Sequence, residues 1–283
     1  MQAGYTIYNI YNQKNPFLDA ATALIKRLDL PTLELTGAYK FEFNGGYLGR
    51  VGNLESYFLA NAYNIAICAK QNTKLLALDE DAYANLVHVV KTIEYDEEVK
   101  NFIEKELDRL KLSLDLSTLK DYICYLPCVL AMHKASIEEK VEHKFSNFSA
   151  FVYYGGRHFD ASLEDEYKCM DDLYKLVDLK VYEGIESFEY YAHLMDIDDK
   201  IALEESGRLI FAGCDRGVDF LLTFSESTFN MFDKHHSKCM RAYRRDPINI
   251  STLNIYQVLL LSFDMSKQSA ISYHMKRPKF ISA

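Results

Sequence analysis

The chain contains no tryptophan, and no stretch approaches the roughly 18 uncharged apolar residues that a membrane-spanning helix requires. Its opening residues, MQAGYTIYNIYNQK, lack the charged-then-apolar profile of a secretory signal, so a cytoplasmic location is expected. Six cysteines (Cys68, Cys124, Cys128, Cys169, Cys214 and Cys239) are scattered without paired spacings. In a reducing compartment that distribution implies buried thiols rather than a disulfide framework. Basic clusters are scarce as well. Lys and Arg total 32 against 41 Asp and Glu, a net charge of -9, and the one dense basic run is Arg241 to Arg245. General nucleic-acid binding is thereby disfavoured, because neutralising phosphates takes a clustered Lys/Arg surface. What remains is a globular composition of 283 residues, 49% hydrophobic and 26% charged, with 21 Tyr and 17 Phe. It excludes disorder, collagen and coiled coil, and it leaves room for one large or two ordinary domains.

Strand-like and helix-like runs alternate along the chain. YTIYNIY (5–11) precedes a helical stretch at 15–28 in which Leu18, Ala21, Ile25 and Leu28 recur at helical spacing. TLEL (32–35), a glycine-rich passage, a helix over 54–70 and the strand KLLALD (74–79) follow. Helices over 82–91 and 96–111 come next, the second with Val99, Phe102, Ile103, Leu107 and Leu110 in one stripe. LSLDL (112–116) and a short helix ending before Pro127 close the first half. The second half repeats the order: FSAFVYY (148–154), a helix at 164–176, LKVYE (179–183), a helix at 198–212, VDFLLTF (218–224), a helix at 227–241, INI (248–250) and a final helix. LLALDEDAYANLV (75–87) lies over LLTFSESTFNMFD (221–233), and LSTL (116–119) over ISTL (250–253). The expected fold is therefore α/β, two tandem βαβ-type repeats, each a mostly parallel sheet flanked by helices. The expected domains are 1–140 and 146–283, with SIEEKVEHK (136–144) as the linker.

TFSESTFNMFD (223–233) resembles the T-P-C-P-L-C-H-M-N-L-D stretch of the B-type subunit family of heterodisulfide reductase at its threonine and its closing Phe232-Asp233, and INISTLNIYQVLLLSF (248–263) resembles the short strand and helix that follow there. That family has two tandem CCG domains, found also in glycolate oxidase iron-sulfur subunits and in the E-type subunit of one class of succinate or fumarate reductases. Each domain holds an unusual iron-sulfur cluster through cysteines after its first, second and third strands. By this resemblance the ligand positions are Tyr11, Phe43, Asn44, Asp79 and Ala82 in the first half and Gly156, Tyr190, Tyr191, Ser225 and Thr228 in the second. None is cysteine. The spacing survives, with 31 residues between Tyr11 and Phe43 and 33 between Gly156 and Tyr190. Thiolates are the soft donors that such clusters need, and rings, methyls and aliphatic hydroxyls do not replace them. The resemblance thus implies no iron-sulfur cofactor, with aromatic side chains filling the vacated volume.

Other constellations have simpler explanations. NGGYLGRVG (44–52) could cradle a phosphate in backbone amides, but it lacks the Gly-Lys-Ser/Thr of a P-loop and reads as a structural turn. His235 and Cys239 are four apart on the expected helix beside His236, yet zinc needs about four ligands and no second pair lies nearby. Cys124 and Cys128 flank Pro127 and lack C-x-x-C spacing. Ser225, Ser227 and Thr228, like Asp79, Glu80 and Asp81, follow a strand and open a helix, where capping accounts for them without catalysis. No G-x-S-x-G elbow nominates a serine.

Two functions fit. One is a cluster-free, non-catalytic accessory, scaffold or assembly subunit of an oxidoreductase, whose partner by family analogy is an iron-sulfur or flavoprotein subunit, with membrane association arising only through that partner. The alternative is a small-molecule binder or enzyme that uses the crevice at the strand carboxyl ends.

Overall fold

The computed structural model describes residues 4–9, 15–155 and 164–279. In chain order the elements are β1 (Gly4–Ile7), α1 (Pro16–Arg27), α2 (Gly46–Val51), α3 (Leu54–Lys70), β2 (Thr73–Ala77), α4 (Glu80–Tyr95), α5 (Glu97–Arg109), β3 (Ile123–Tyr125), α6 (Leu126–Met132) and α7 (Lys134–Glu138). Then follow β4 (Ser149–Tyr153), α8 (Glu164–Leu176), β5 (Lys180–Tyr182), α9 (Asp199–Cys214), β6 (Phe220–Thr223), α10 (Glu226–Asp233), α11 (His236–Ala242), β7 (Ser251–Asn254) and α12 (Ile255–Ser262). Short 3-10 turns punctuate both halves.

The chain forms two compact units, one from Met1–Gln13 and Leu30–Val129, the other from Lys14–Asp29 and Leu130–Ala283. The first holds a three-stranded parallel sheet in the order β1-β2-β3, and the second a four-stranded parallel sheet in the order β5-β4-β6-β7. The α/β class with paired parallel sheets is the one the alternating pattern implies. One sheet face in the first unit carries Tyr8, Leu75 and Ala77 against Ile65, Ala66, Val89 and Ile103. The matching face in the second carries Phe151, Tyr153 and Leu221 against Leu209, Ile210, Phe211 and Met240. Burying such side chains contributes roughly 1.5–3 kcal/mol each.

Helix starts follow the polar residues that precede them. The side chains of Asn53, Asp79, Asp198, Ser225 and Asn254 accept the amide hydrogens of Ser56, Ala82, Ile201, Thr228 and Gln257 respectively. Asp79 and Ser225 stand at comparable places in the two halves, each two residues beyond a strand, β2 and β6 respectively, and each capping the helix that follows.

Several boundaries differ from the sequence reading. LSLDL is no strand. Leu116 and Leu119 bury themselves on a 3-10 turn capped by Asp115, Leu112 is buried in the irregular stretch before it, and the third strand is the short Ile123–Tyr125. LSTL and ISTL are therefore not equivalent, because the first lies in that turn and the second runs into β7. TLEL contributes only the bridge between Tyr5 and Thr32, and Leu33 is exposed. Pro127 opens α6 rather than ending a helix, a position where its missing amide hydrogen costs nothing. The helix expected over 227–241 is two helices, broken at Lys234 and His235.

Candidate functional site

In the second unit, the carboxyl edge of the sheet collects Thr223, Ser225 and Asn254, with Thr223 beside Asn254 in register. Ser225 caps α10, and its hydroxyl lies 2.9 Å from that of Ser227, which in turn lies 2.7 Å from the Tyr190 hydroxyl. The structure thus links Tyr190 to the turn at Ser225. Tyr191 takes a different partner: its hydroxyl donates to Glu189 (2.7 Å), which also pairs with Arg208. Burial and then the Glu189 carboxylate raise the Tyr191 pKa. Tyr190 and Tyr191 line a shallow indentation together with Glu189, Ser206, Leu209, Thr228 and Phe232. Tyr190 and Tyr191 are half-buried, and Thr228 is buried with no hydrogen-bond partner for its hydroxyl. Gly156, the remaining position in this half, lies outside the described residues, as does Tyr11 in the first.

The first unit treats its corresponding positions differently. Asn44 is buried: its Nδ2 donates to Asn61 Oδ1 (2.8 Å), and its Oδ1 accepts the Gly46 amide hydrogen (2.8 Å). Gly45 and Gly46 both have positive φ (76° and 56°), and a Cβ at Gly49 would stand 2.2 Å from the Asn44 carbonyl oxygen. Glycine is required here by backbone geometry. Arg50 completes the arrangement by donating to the Tyr57 hydroxyl (3.1 Å), Asn85 Oδ1 (3.1 Å) and the Ala84 carbonyl (2.9 Å). NGGYLGRVG is thus a turn and short helix tied to its neighbours. Phe43 is 59% exposed and fills no vacated volume, contrary to the expectation from the resemblance. Asp79 caps Ala82, and nearby Tyr83 stacks on buried Tyr125 with ring centroids 4.9 Å apart.

Among the described residues the sulfur and imidazole groups provide no metal set. Burial pushes the Cys68, Cys124 and Cys239 thiols up to about 12, far from a thiolate at neutral pH. Cys239 is fully buried with its sulfur 3.8 Å from the Met231 carbonyl oxygen, and His235 lies outside α11 as its cap. Cys124 belongs to β3 and Cys128 to α6, so they share no helix. Among the described residues no group of three His, Cys, Asp or Glu side chains could hold a metal ion. The residues at the positions the resemblance assigns to a cluster do not fit one: they offer rings, hydroxyls, an amide and a carboxylate, with Asp79 and Ser225 occupied as caps. Within the basic run, Arg245 pairs with Asp215 (2.7 and 2.9 Å) and stacks on Phe211.

Sequence reasoning missed a buried polar cluster in the second unit. Asp233 accepts the amide hydrogens of Met275 (3.0 Å) and Lys276 (2.9 Å), and His274 lies beside it, in contact with Gln257. The two stretches that carry the resemblance contain Asp233 and Gln257, but nothing in the local pattern connects them with each other or with His274 and the amides that follow.

These features define a tandem α/β protein with parallel sheets, a class in which functional groups gather at the strand carboxyl ends. Residues 191–276, within the second unit, match the sequence model of the HdrB-like C-terminal domain, in line with the resemblance to the heterodisulfide reductase family. No curated protein matches the sequence. Among solved structures, the chain is similar to one described as a hypothetical protein from Helicobacter pylori, with a TM-score of 0.78 and 23% identity over 99% of this chain. The match spans about half of that protein, 53% of its chain, and shows a shared fold. Among the described residues no helix is long and apolar enough to cross a membrane.

Proposed function

We propose that the protein is a cluster-free, HdrB-like relative of the heterodisulfide reductases that acts as an accessory or scaffold component of an oxidoreductase complex, beside an iron-sulfur or flavoprotein subunit. The observation that carries this reading is the use made of the former ligand positions. Asp79 and Ser225 cap helices, Asn44 holds a glycine turn, and Tyr190 is bonded to Ser227. These are structural tasks performed by side chains that do not replace the thiolates of an iron-sulfur cluster. Without a cluster there is no one-electron carrier, and a retained fold then serves its partner surfaces. Protein purified anaerobically is expected to be colourless, with iron and acid-labile sulfide far below one equivalent per chain. Stoichiometric iron and sulfide with broad visible absorbance would overturn the reading.

The alternative, a small molecule held at the second sheet's carboxyl edge, is favoured by one feature. Thr223 and Thr228 bury hydroxyls, and Asn254 buries an amide Nδ2, none with a hydrogen-bond partner.

A further inference from the structure

We infer that residues 264–279 form a strap latched onto the second unit by Asp233, His274 and Gln257, and that the latch opens as the pH falls. After α12 the chain leaves regular structure, with left-handed backbone at Asp264 and Ala270 and one 3-10 turn at Ile271–Tyr273. Most of its side chains are exposed; Ser269, Ala270, His274 and Pro278 are the buried ones among residues 264–279. A segment held at so few points opens at lower cost than the sheet it lies on.

The latch has a defined hydrogen-bond direction. Gln257 Oε1 accepts the amide hydrogen of Asn254 (3.1 Å), which fixes the orientation of the side-chain amide. Its Nε2 then donates to the Ser269 carbonyl (3.0 Å) and to His274 Nε2 (2.7 Å). His274 Nε2 must accept, so the proton of the neutral ring sits on Nδ1, which faces Asp233 Oδ1 at 3.7 Å. The ring is also enclosed by Phe229, edge to face at 5.1 Å. Asp233 meanwhile holds the Met275 and Lys276 amides. Protonating His274 would place a second N–H on Nε2, directly against the Gln257 donor. Two donors would then face each other, and the bond that seats His274 would be lost.

His236 adds to the effect. It is buried at the start of α11, and neither ring nitrogen has a hydrogen-bond partner. The charged groups acting on it are Lys276 from the strap and Asp233 from α10; those acting on His274 are Asp233 and Arg277. Burial lowers both histidines from the ordinary 6.5, His236 to about 4, with Lys276 assisting at His236 and Asp233 opposing at both. A released strap would let the imidazoles take up protons that the latched state refuses. The latched state therefore loses relative stability as the pH falls from 6.5 toward about 4, and its advantage is fully present above that window.

The test is amide exchange on the full chain by NMR from pH 7.5 to 5, corrected for intrinsic rates. Protection of Met275 and Lys276 should be level near neutrality and fall below pH 6.5 by up to about tenfold per pH unit for each proton taken up, while Leu221 and Leu222 in β6 stay protected. Constant protection at Met275 and Lys276, or a loss in step with β6, would overturn the proposal. In Asp233→Asn the same two amides should exchange faster at every pH; wild-type protection in that variant would refute the latch.

Discussion

The two carboxyl edges occupy equivalent places in their units and are built from opposite materials. Register sets Ala77 beside Tyr125 in the first sheet and Thr223 beside Asn254 in the second. Three residues beyond the respective caps stand Ala82 and Thr228. Val90 and His236 also stand equally far beyond their caps. At each of these places the first unit buries or half-buries an apolar or aromatic side chain, while the second buries a polar one. An unsatisfied buried hydroxyl costs about 1–3 kcal/mol, so the second edge is not built for stability. At these places the first edge is apolar or aromatic, although Glu80 beside its cap is also buried; the second keeps unused hydrogen-bonding capacity and the histidine latch.

The largest effect expected is at Tyr125, whose buried ring stacks on Tyr83. Tyr125→Ala should destabilise the protein by about 3–5 kcal/mol, in line with emptied buried aromatic sites, as measured by urea denaturation. A loss under about 1 kcal/mol, the scale of a lost cap, would show that the first edge is as loosely filled as the second.

A substitution at the caps treats both units alike. Asp79→Ala and Ser225→Ala each remove one acceptor at a helix start and should each lower stability by about 1 kcal/mol, seen as parallel shifts of the denaturation midpoint. Markedly unequal losses would mean that one of them does more than cap, and an excess at Ser225 would point to the hydroxyl chain through Ser227 to Tyr190.

Much of the fold is legible in the sequence because its signals are local. A polar cap before a stretch rich in buried side chains marks Leu54–Lys70, and the pattern over Glu164–Leu176 gives that helix its observed ends. The third strand escapes, because Ile123–Tyr125 is three residues long and LSLDL offers a cleaner alternation of period two. Leu116 and Leu119 in fact sit three apart on a 3-10 turn. The break at Lys234 and His235 carries neither proline nor glycine, so nothing announces it. At the candidate site, the resemblance identifies Tyr190 and Ser225, which the structure links through Ser227, but it also leads to Phe43, whose exposure depends on tertiary packing. The Asp233, Gln257 and His274 cluster joins three separate segments, and only folding brings them together.

The smallest effect expected is the one that tests the comparison most closely. Thr223→Val and Thr228→Val keep the shape of each side chain and remove a buried hydroxyl that has no partner. If the polar groups of the second edge are simply unsatisfied, each change should be neutral or should raise stability by up to about 1 kcal/mol, because a desolvation penalty disappears and no bond is lost. The reverse change in the first unit, Ala77→Thr, should cost about 1–3 kcal/mol, since it buries a new hydroxyl beside Tyr125 in a closed apolar site. Opposite signs for the two exchanges would establish that the edges differ in chemistry and not in tightness of packing. A clear loss of stability in both valine variants would mean that the hydroxyls bind something in the folded protein, water or a metabolite. The second edge would then be a working site, and the small-molecule reading would displace the scaffold.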